Sequence, residues 1–239
     1  MATDSRKRAL ITGADHQIIT ELAQALLDQR WHVTIAVQPS VPMKAVSRPN
    51  WSEGSFSILK FDLCFESSVQ RAAAKYGYSL DLLVNCGGNV LEPFYKGVVP
   101  WDQHTEVMLN RSFRINTIGP FLATKYFAPK LKETKGKVIN LSSRSASIDK
   151  TFGGFLAYSA SKTALNQMTA VVAAELKYDG IVVVSVDIGD LIHSQSDSGD
   201  NDDRRNNMYD LVRVINSIDL KKTGSFMDKT GNIIASPDL

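Results

Sequence analysis

Residues 8–37 read RALITGADHQIITELAQALLDQRWHVTIAV and divide into a short apolar run, a longer amphipathic stretch and a second short apolar run. Arg8–Thr12 and His32–Val37 are rich in apolar and β-branched residues, as strands are. Between them, Ile18–Gln29 carries apolar residues at helical spacing. Strand, helix and strand in this order predict a βαβ unit with parallel strands, so we expect an α/β fold.

The same alternation continues along the chain. Four further runs are predicted strands, namely Phe56–Phe61, Leu80–Asn85, Lys137–Ser142 and Ile181–Asp187. Three further stretches are predicted helices, namely Ser67–Tyr76, Gly119–Lys132 and Tyr158–Tyr178. The later strands are largely apolar, which is typical of parallel strands covered by helices on both faces. We therefore expect a doubly wound, Rossmann-like parallel sheet with helices on both faces, in a single domain over residues 1–239.

Composition excludes several classes of function. A net charge of +2, with basic residues dispersed along the chain, predicts no nucleic-acid binding. Cys64 and Cys86 fall in strand-end positions, where we expect small buried side chains rather than a disulfide. Residues 1–8 are polar and the next apolar run is short, so no signal peptide or membrane segment is expected there. We expect a cytoplasmic protein with no membrane association and no metal site.

Tyr158-Ser159-Ala160-Ser161-Lys162 places Tyr158 and Lys162 four residues apart, on one face of the last predicted helix. An ammonium close to a phenol favours the phenolate, which makes a tyrosine an effective proton donor and acceptor near neutral pH. The spacing alone is common on helix surfaces. Its context points to a site, because the strand Lys137–Ser142 runs directly into Ser143 at the sheet edge where α/β proteins bind ligands.

Two more polar positions belong to this context. Asn116 is expected to begin a helix that packs beside the fourth strand. Asn85-Cys86-Gly87-Gly88 closes that strand with a turn that allows close backbone approach. In order and context, these features resemble the short-chain dehydrogenase/reductase family over nearly the whole chain. The approach from Trp101 to Asn116, the Ser-Arg-Ser-Ala-Ser-Ile run and the ending Gly224-Ser225-Phe226-Met227-Asp228 resemble its sniffer and C-factor carbonyl reductase branch.

The resemblance implies a role for each catalytic candidate. Tyr158 would be the proton donor or acceptor, and Lys162 would assist it and bind the cofactor's ribose. Ser143 would orient the carbonyl group, and Asn116 would position a water of the proton relay. Ser143 precedes Tyr158 by 15 residues, slightly more than is usual in the family, so Ser145 stays an alternative to Ser143.

The resemblance also implies a dinucleotide cofactor, NADP(H), and a set of residues that would bind it. These are Gly13, His16, Gln17, Ile18, Asp62, Leu63, Asn85, Gly87, Tyr158, Lys162, Ile188 and Gly189. A small-molecule substrate follows from the same resemblance. The helices Gly119–Lys132 and Tyr158–Tyr178 correspond to those that build dimer interfaces in the family, so we expect a homo-oligomer, a dimer or a tetramer.

The cofactor side departs from the family pattern. Thr12-Gly13-Ala14-Asp15-His16-Gln17-Ile18-Ile19 keeps the first of three glycines and has Gln17 and Ile19 at the other two. We expect Ile19 either to displace the helix or to fill the pocket. The end of the second strand offers neither an acidic residue nor an arginine to select the cofactor, and only His16 favours NADP.

The segment after the sixth strand departs as well. Ile188 stands where the family has proline, with Asp187 and Asp190 on either side of the Ile188-Gly189 pair. The two carboxylates belong either to a solvated loop or to a repurposed pocket. The polar stretch 193–207 is expected to be a mobile loop over the substrate or an unstructured segment.

Three functions therefore stay open. The first is an oxidoreductase that uses NADP(H) to reduce a carbonyl or oxidise an alcohol. The second is a cofactor-independent isomerase, dehydratase or cyclase that uses Tyr158 and Ser143 as acid and base. The third is a non-catalytic homologue that has lost dinucleotide binding, such as a ligand sensor or an idle partner in a hetero-oligomer.

Overall fold

The computed structural model describes residues 6–13, 17–41, 51, 55–87, 99–150, 153–189, 201–235 and 237, without the side chains of Gln17 and residues 201–205. It contains one sheet of eight strands in the order β3-β2-β1-β4-β5-β6-β7-β8. The strands are β1 Arg8–Thr12, β2 His32–Val37, β3 Phe56–Lys60, β4 Leu82–Asn85, β5 Lys137–Ser142, β6 Val182–Asp187, β7 Phe226–Asp228 and β8 Ile233–Ala235. All neighbouring strands are parallel except β7 and β8, which form an antiparallel pair.

Helices cover both faces of this sheet. They are α1 Gln17–Asp28, α2 Glu66–Lys75, α3 Glu106–Phe113, α4 Gly119–Lys132, α5 Leu156–Leu176 and α6 Asn201–Ser217. Side chains from α1 and α6 share one buried apolar cluster, and side chains from α2, α4 and α5 share another. Successive residues of a central strand alternate between the clusters: Leu82 and Val84 point to the first and Leu83 to the second. The predicted doubly wound α/β fold is confirmed.

The structure contains helices and strands that were not predicted, and this is the main difference from the sequence-based expectation. The six predicted strands and four predicted helices are present, with ends that differ by at most two residues. The strands β7 and β8 and the helices α3 and α6 were not predicted. The predicted loop 193–207 is wrong at its end, because residues 201–207 form the first turns of α6, while 193–200 lie outside the described residues.

α6 is a helix because its second half has an apolar stripe. Met208, Leu211, Val212 and Ile215 recur at three- and four-residue spacing and are buried against α1. The seven residues before Met208 are all polar, so the start of α6 shows no apolar pattern in the sequence. Within the described residues, no helix is long and apolar enough to cross a membrane.

Candidate active site

The carboxyl ends of four adjacent parallel strands bring the candidate residues to one edge of the sheet. Gly13 follows β1, Gly87 follows β4, Ser143 follows β5 and Gly189 follows β6. The strand order reverses direction between β1 and β4. This crevice is where doubly wound sheets bind their ligands.

Lys162 is the most constrained side chain at this edge. It is fully buried in α5, and its Nζ donates to the carbonyl oxygens of Gly87, at 2.6 Å, and Leu141, at 2.7 Å. Burial lowers the pKa of Lys162 to about 7, because desolvation penalises the charged ammonium. Lys162 therefore bridges β4 and β5 and titrates near neutral pH.

Tyr158 lies one helical turn before Lys162, as predicted, and is almost completely buried. The Lys162 Nζ is 5.8 Å from the centre of its ring, within the range of a cation–π contact. The pair thus shares one environment with little access for water. In such an environment an ammonium has a strong influence on a neighbouring phenol.

Asn116 holds the first turn of α5 in place. It is fully buried in a π-helical turn, Arg114–Ile118, that joins α3 to α4, and its Nδ2 donates to the Ser161 hydroxyl at 3.0 Å. The Ser161 hydroxyl donates in turn to the carbonyl of Tyr158 at 2.7 Å, and the Thr117 hydroxyl donates to the carbonyl of Ser161 at 2.8 Å. The expected start of a helix at Asn116 is wrong, because the chain is already helical from Glu106.

Ser143 and Ser145 form a hydroxyl pair. Their Oγ atoms are 2.9 Å apart, and the backbone N–H of Ser145 also donates to the Ser143 Oγ at 3.3 Å. Ser143 is the N-cap of the 3₁₀ turn Arg144–Ala146 and is half-buried, whereas Ser145 is buried. The structure therefore joins the two serines that were considered as alternatives.

The first glycine of the turn after β1 is required by its surroundings. Gly13 has φ +88°, and a Cβ on it would lie 3.0 Å from both the carbonyl carbon and the carbonyl oxygen of Cys86. Gly87 is equally tight, since a Cβ there would lie 2.8 Å from the carbonyl oxygen of Ile115. The chain ends of β1 and β4 thus pack backbone against backbone beside Lys162.

Ile19 lies in the core beneath this edge of the sheet. Its side chain is fully buried in the core cluster of α1 and α6, together with Leu22 and Leu26. Its burial shows that the Ile19 side chain packs in the core between α1 and the sheet, and the displaced helix and the filled pocket both stay predictions. Gln17 begins α1, and its side chain, like all of His16, lies outside the described residues.

The remaining predicted cofactor residues fall into two groups. Gly189 is exposed, and beyond its chain neighbours a Cβ on it would have no heavy atom of the described residues within 4 Å. Asp62, Leu63 and Ile18 are half-buried. By contrast, Ile188 is buried in the core. The Asp62 carboxylate accepts from the backbone N–H of Cys64 at 2.8 Å and so shapes the turn after β3.

The Asn85 side chain lies inside the sheet. It is fully buried, its Oδ1 accepts from the Thr12 hydroxyl at 3.1 Å, and its Nδ2 donates to the Asn140 Oδ1 at 2.8 Å. The Asn140 Nδ2 donates to Thr169 at 2.8 Å, and the Ser185 hydroxyl donates to the same Thr169 oxygen at 2.9 Å. Thr12, Asn85, Asn140 and Ser185 are register partners on four adjacent strands, and together with Thr169 they form what we call the polar row.

Asp187 is not in a solvated loop, and that expectation is wrong for this residue. It ends β6, is 5% exposed, and its Oδ1 accepts from the backbone N–H groups of Arg144, at 3.0 Å, and Gly189, at 2.9 Å. Asp190 lies outside the described residues.

Four further residues support the site and were not predicted, namely Ser161, Thr117, Asn140 and Thr169. Each is a small polar side chain within an otherwise apolar strand or helix, and such a position was the available signal, because a buried polar group needs a partner.

Comparisons with known proteins agree with this geometry. A family model described as short chain dehydrogenase matches residues 7–204. The 3-amino-tetrahydro-pyrrolizinone reductase of Xenorhabdus hominickii is 29% identical over 190 residues, which cover 77% of this chain and 62% of that protein. Serine 3-dehydrogenase of Rhizobium radiobacter is 28% identical over 219 residues, 90% of this chain and 84% of that protein. The chain spans less than two thirds of the length of several curated relatives that it matches, among them the Xenorhabdus reductase, at 62%, and rat estradiol 17-beta-dehydrogenase 2, at 48%.

Solved structures show the same fold. The carbonyl reductase Sniffer of Drosophila melanogaster superposes with a TM-score of 0.83 at 24% identity, over 96% of this chain and 99% of that one. The NADPH-bound carbonyl reductase from chicken fatty liver superposes with a TM-score of 0.81 at 23% identity, over the same shares. With a family match that extends from β1 into α6, and with Tyr158 and Lys162 side by side at the sheet edge, this chain belongs to the short-chain dehydrogenase/reductase family.

Proposed function

We propose that this chain is an NADP(H)-dependent oxidoreductase that reduces a carbonyl group, or oxidises an alcohol, on a small organic substrate. One observation supports it most directly: Tyr158 and Lys162 are buried together at the sheet edge, with Ser143 at the end of the adjacent strand. The named activities of the relatives, a reductase and a dehydrogenase, are of the same kind.

The described residues fit a dinucleotide. Gly13 adopts the left-handed conformation that the turn needs, Ile19 is buried in the core, and Gly189 presents backbone without a side chain at the neighbouring strand end. Gly13, Gly87 and Gly189 would hold the cofactor at this edge, together with the half-buried Asp62, Leu63 and Ile18. Asn85 and Ile188 would contribute through their main chains, because their side chains are buried. When bound, NADP(H) supplies or accepts the hydride.

The protein's own groups handle the proton and the substrate oxygen. The Tyr158 hydroxyl donates a proton to the carbonyl oxygen during reduction and accepts one from the alcohol during oxidation. Lys162 stabilises the phenolate in an environment with little water. The Ser143 hydroxyl donates to the same substrate oxygen and keeps it oriented. Asn116 holds the first turn of α5 through Ser161 and so fixes the Tyr158 backbone.

Cofactor titration tests the proposal first. Purified protein is titrated with NADPH and with NADH while nicotinamide fluorescence is followed, and we expect saturation with NADPH below millimolar concentration. Absence of a saturable signal with either cofactor would refute the redox function and favour the cofactor-independent alternative.

Substitution of the tyrosine tests the chemistry. With 4-nitrobenzaldehyde and a panel of ketones and quinones as substrates, Tyr158→Phe should lower turnover by at least about a hundredfold, because it removes only the proton-transferring hydroxyl. Tyr178→Phe is the matched control, since Tyr178 is 84% exposed beyond the far end of α5. Equal turnover by the wild type and Tyr158→Phe would exclude the proposed role of Tyr158.

We also infer that the chain forms a homo-oligomer through α4 and α5. Both helices expose apolar side chains, with Phe121 on α4 and Val171 on α5 at 38% and 52% exposure. Light scattering of the wild type and of Val171→Lys tests this, and a wild type that is monomeric at micromolar concentration would refute it.

A further inference from the structure

Asp187 is a buried carboxylate that takes no part in the proposed proton and hydride transfer. A buried carboxylate is costly unless hydrogen bonds compensate for its lost hydration. The Asp187 Oδ1 accepts from two backbone N–H groups, those of Arg144 and Gly189, and its Oδ2 is 3.6 Å from the Arg144 Nε. The side chain of Arg144 is mostly exposed, so the two backbone N–H groups are the partners that the fold fixes.

These partners belong to two different segments of the site. Arg144 directly follows Ser143 in the turn after β5, and Gly189 lies two residues after the end of β6. One carboxylate oxygen therefore holds together the chain ends of two neighbouring strands. We call this arrangement the Asp187 clamp.

The clamp acts beyond the sheet. β5 and β6 are already paired along six residue positions, of which Ser142 and Asp187 are the last. The next residues, Ser143 and Ile188, leave the ladder, and the Asp187 clamp continues the connection into the two turns. The Asp187 clamp therefore fixes the position of the two turns and contributes little to the pairing of the strands.

The Ser143 hydroxyl depends on this turn. Its Oγ accepts from the backbone N–H of Ser145, which is the second residue of the turn that Arg144 begins. Displacement of Arg144 would therefore move Ser145 and reorient the Ser143 hydroxyl. A shift of about 1 Å in a group that orients a substrate can cost about a hundredfold in rate.

We infer that Asp187 is a positioning residue for the proposed reaction, which fixes the Ser143 hydroxyl by clamping Arg144 and Gly189 together. The role of Ser143 in this inference rests on the proposed function. The clamp itself does not, because it is a property of two backbone amides.

The test compares Asp187→Ala, which removes both hydrogen bonds, with Asp187→Asn, whose side-chain oxygen can accept them. Asp219→Ala is the matched control. Asp219 also accepts a backbone N–H of a 3₁₀ turn, that of Lys221 at 3.0 Å, but this turn precedes β7. Three quantities are measured for each protein: kcat for carbonyl reduction, Kd for NADPH, and the hydrogen-exchange rates of the Arg144 and Gly189 amides.

For Asp187→Ala we expect kcat to fall by about ten- to a hundredfold. Kd for NADPH should rise as well, because the clamp also fixes Gly189, which would hold the cofactor. Both amides should exchange at least about tenfold faster than in the wild type. Asp187→Asn should restore most of kcat and of the amide protection, and Asp219→Ala should keep the wild-type kcat.

Wild-type kcat in Asp187→Ala would overturn the inference, and so would an equal loss in Asp187→Asn, since the carboxylate charge rather than the clamp would then matter. If Asp187→Ala fails to fold, the wild type decides, because rapid exchange of both amides in the wild type contradicts the clamp. Absence of turnover in the wild type would count against the proposed function, while the exchange rates would still test the clamp.

Discussion

The Nζ of Lys162 lies 2.6 Å from the carbonyl oxygen of Gly87, so the lysine of the tyrosine–lysine pair is held by the backbone at the end of β4. A second carbonyl, that of Leu141 on β5, accepts from the same nitrogen. Lys162 is therefore a structural link between two strands as well as a candidate catalytic group, and its charge affects the stability of the fold.

Stability should rise with pH because of Lys162. Its pKa is about 7 in the folded protein and about 10.5 in the unfolded chain, so between these values the unfolded chain binds a proton that the folded protein lacks. The contribution is fully present above the unfolded pKa and is lost as pH falls towards 7, with a slope of at most about 1.4 kcal/mol per pH unit.

Lys162→Met removes this titration. Urea unfolding of the wild type and the variant at several pH values between about 7 and about 10 measures it, because the other titrating groups are common to both proteins. We expect the stability of the wild type to increase relative to Lys162→Met across this range. Parallel stability curves would show that Lys162 stays charged in the fold.

Gly13→Ala should destabilise the protein by about 2 to 4 kcal/mol, because it adds left-handed strain to a steric conflict with a backbone that cannot move easily. The new Cβ would lie 3.0 Å from the Cys86 carbonyl group. Gly153→Ala is the control, since a Cβ at Gly153 would have no atom of the described residues other than its chain neighbours within 4 Å, and its effect should stay within about 0.5 kcal/mol. Thermal and urea unfolding check both variants, and equal stability of the two would contradict the observed geometry of the turn.

Replacement of Ile19 by the glycine that the family has at this position should be harmful. Ile19 is fully buried, so Ile19→Gly leaves a cavity and a flexible residue in α1, at a cost of about 3 to 6 kcal/mol. Val107→Gly, on the exposed face of α3, controls for the helix effect alone and should cost about 1 kcal/mol. Tighter NADPH binding by Ile19→Gly without a loss of stability would instead mean that Ile19 obstructs the cofactor.

Features that depend on a few neighbouring residues were predicted, and features that depend on distant residues were not. β5 and α4 were predicted with their observed ends because a short, largely apolar run and a helical apolar pattern are local signals. Tyr158 and Lys162 were paired because four residues make one helical turn. α6 was missed because its first seven residues are polar, so its apolar stripe begins only at Met208.

The partners of the site residues could not be predicted in the same way. Lys162 binds main-chain carbonyls of Gly87 and Leu141, and a backbone acceptor has no signature in the sequence. Asp187 is buried because the turns after β5 and β6 meet at its carboxylate, which depends on strand order and register. The burial of Ile19 in the core likewise depends on how α1 packs against the sheet, which the local sequence does not show.

The polar row provides the last prediction. Asn140 is 2% exposed, and it accepts from Asn85 at 2.8 Å and donates to Thr169 at 2.8 Å. In Asn140→Leu, the Asn85 amide keeps only two contacts of 3.4 Å, to Pro120 and Thr124. A buried donor without a good acceptor is costly, so we expect a loss of about 2 to 4 kcal/mol in urea unfolding.

A double-mutant cycle separates this bond network from simple packing. Asn140→Leu and Thr169→Val together should cost less than the sum of the single variants, with a coupling energy of at least about 1 kcal/mol, because the first change already removes their shared hydrogen bond. Asn110→Leu is the control: Asn110 is exposed and its side chain bonds Glu106 on its own helix, so a change within about 0.5 kcal/mol is expected.

Since Leu141, whose carbonyl binds Lys162, directly follows Asn140, carbonyl reduction should fall in Asn140→Leu as well. A coupling energy near zero would mean that the amide of Asn140 is satisfied in some other way, and that the polar row does not act as one unit.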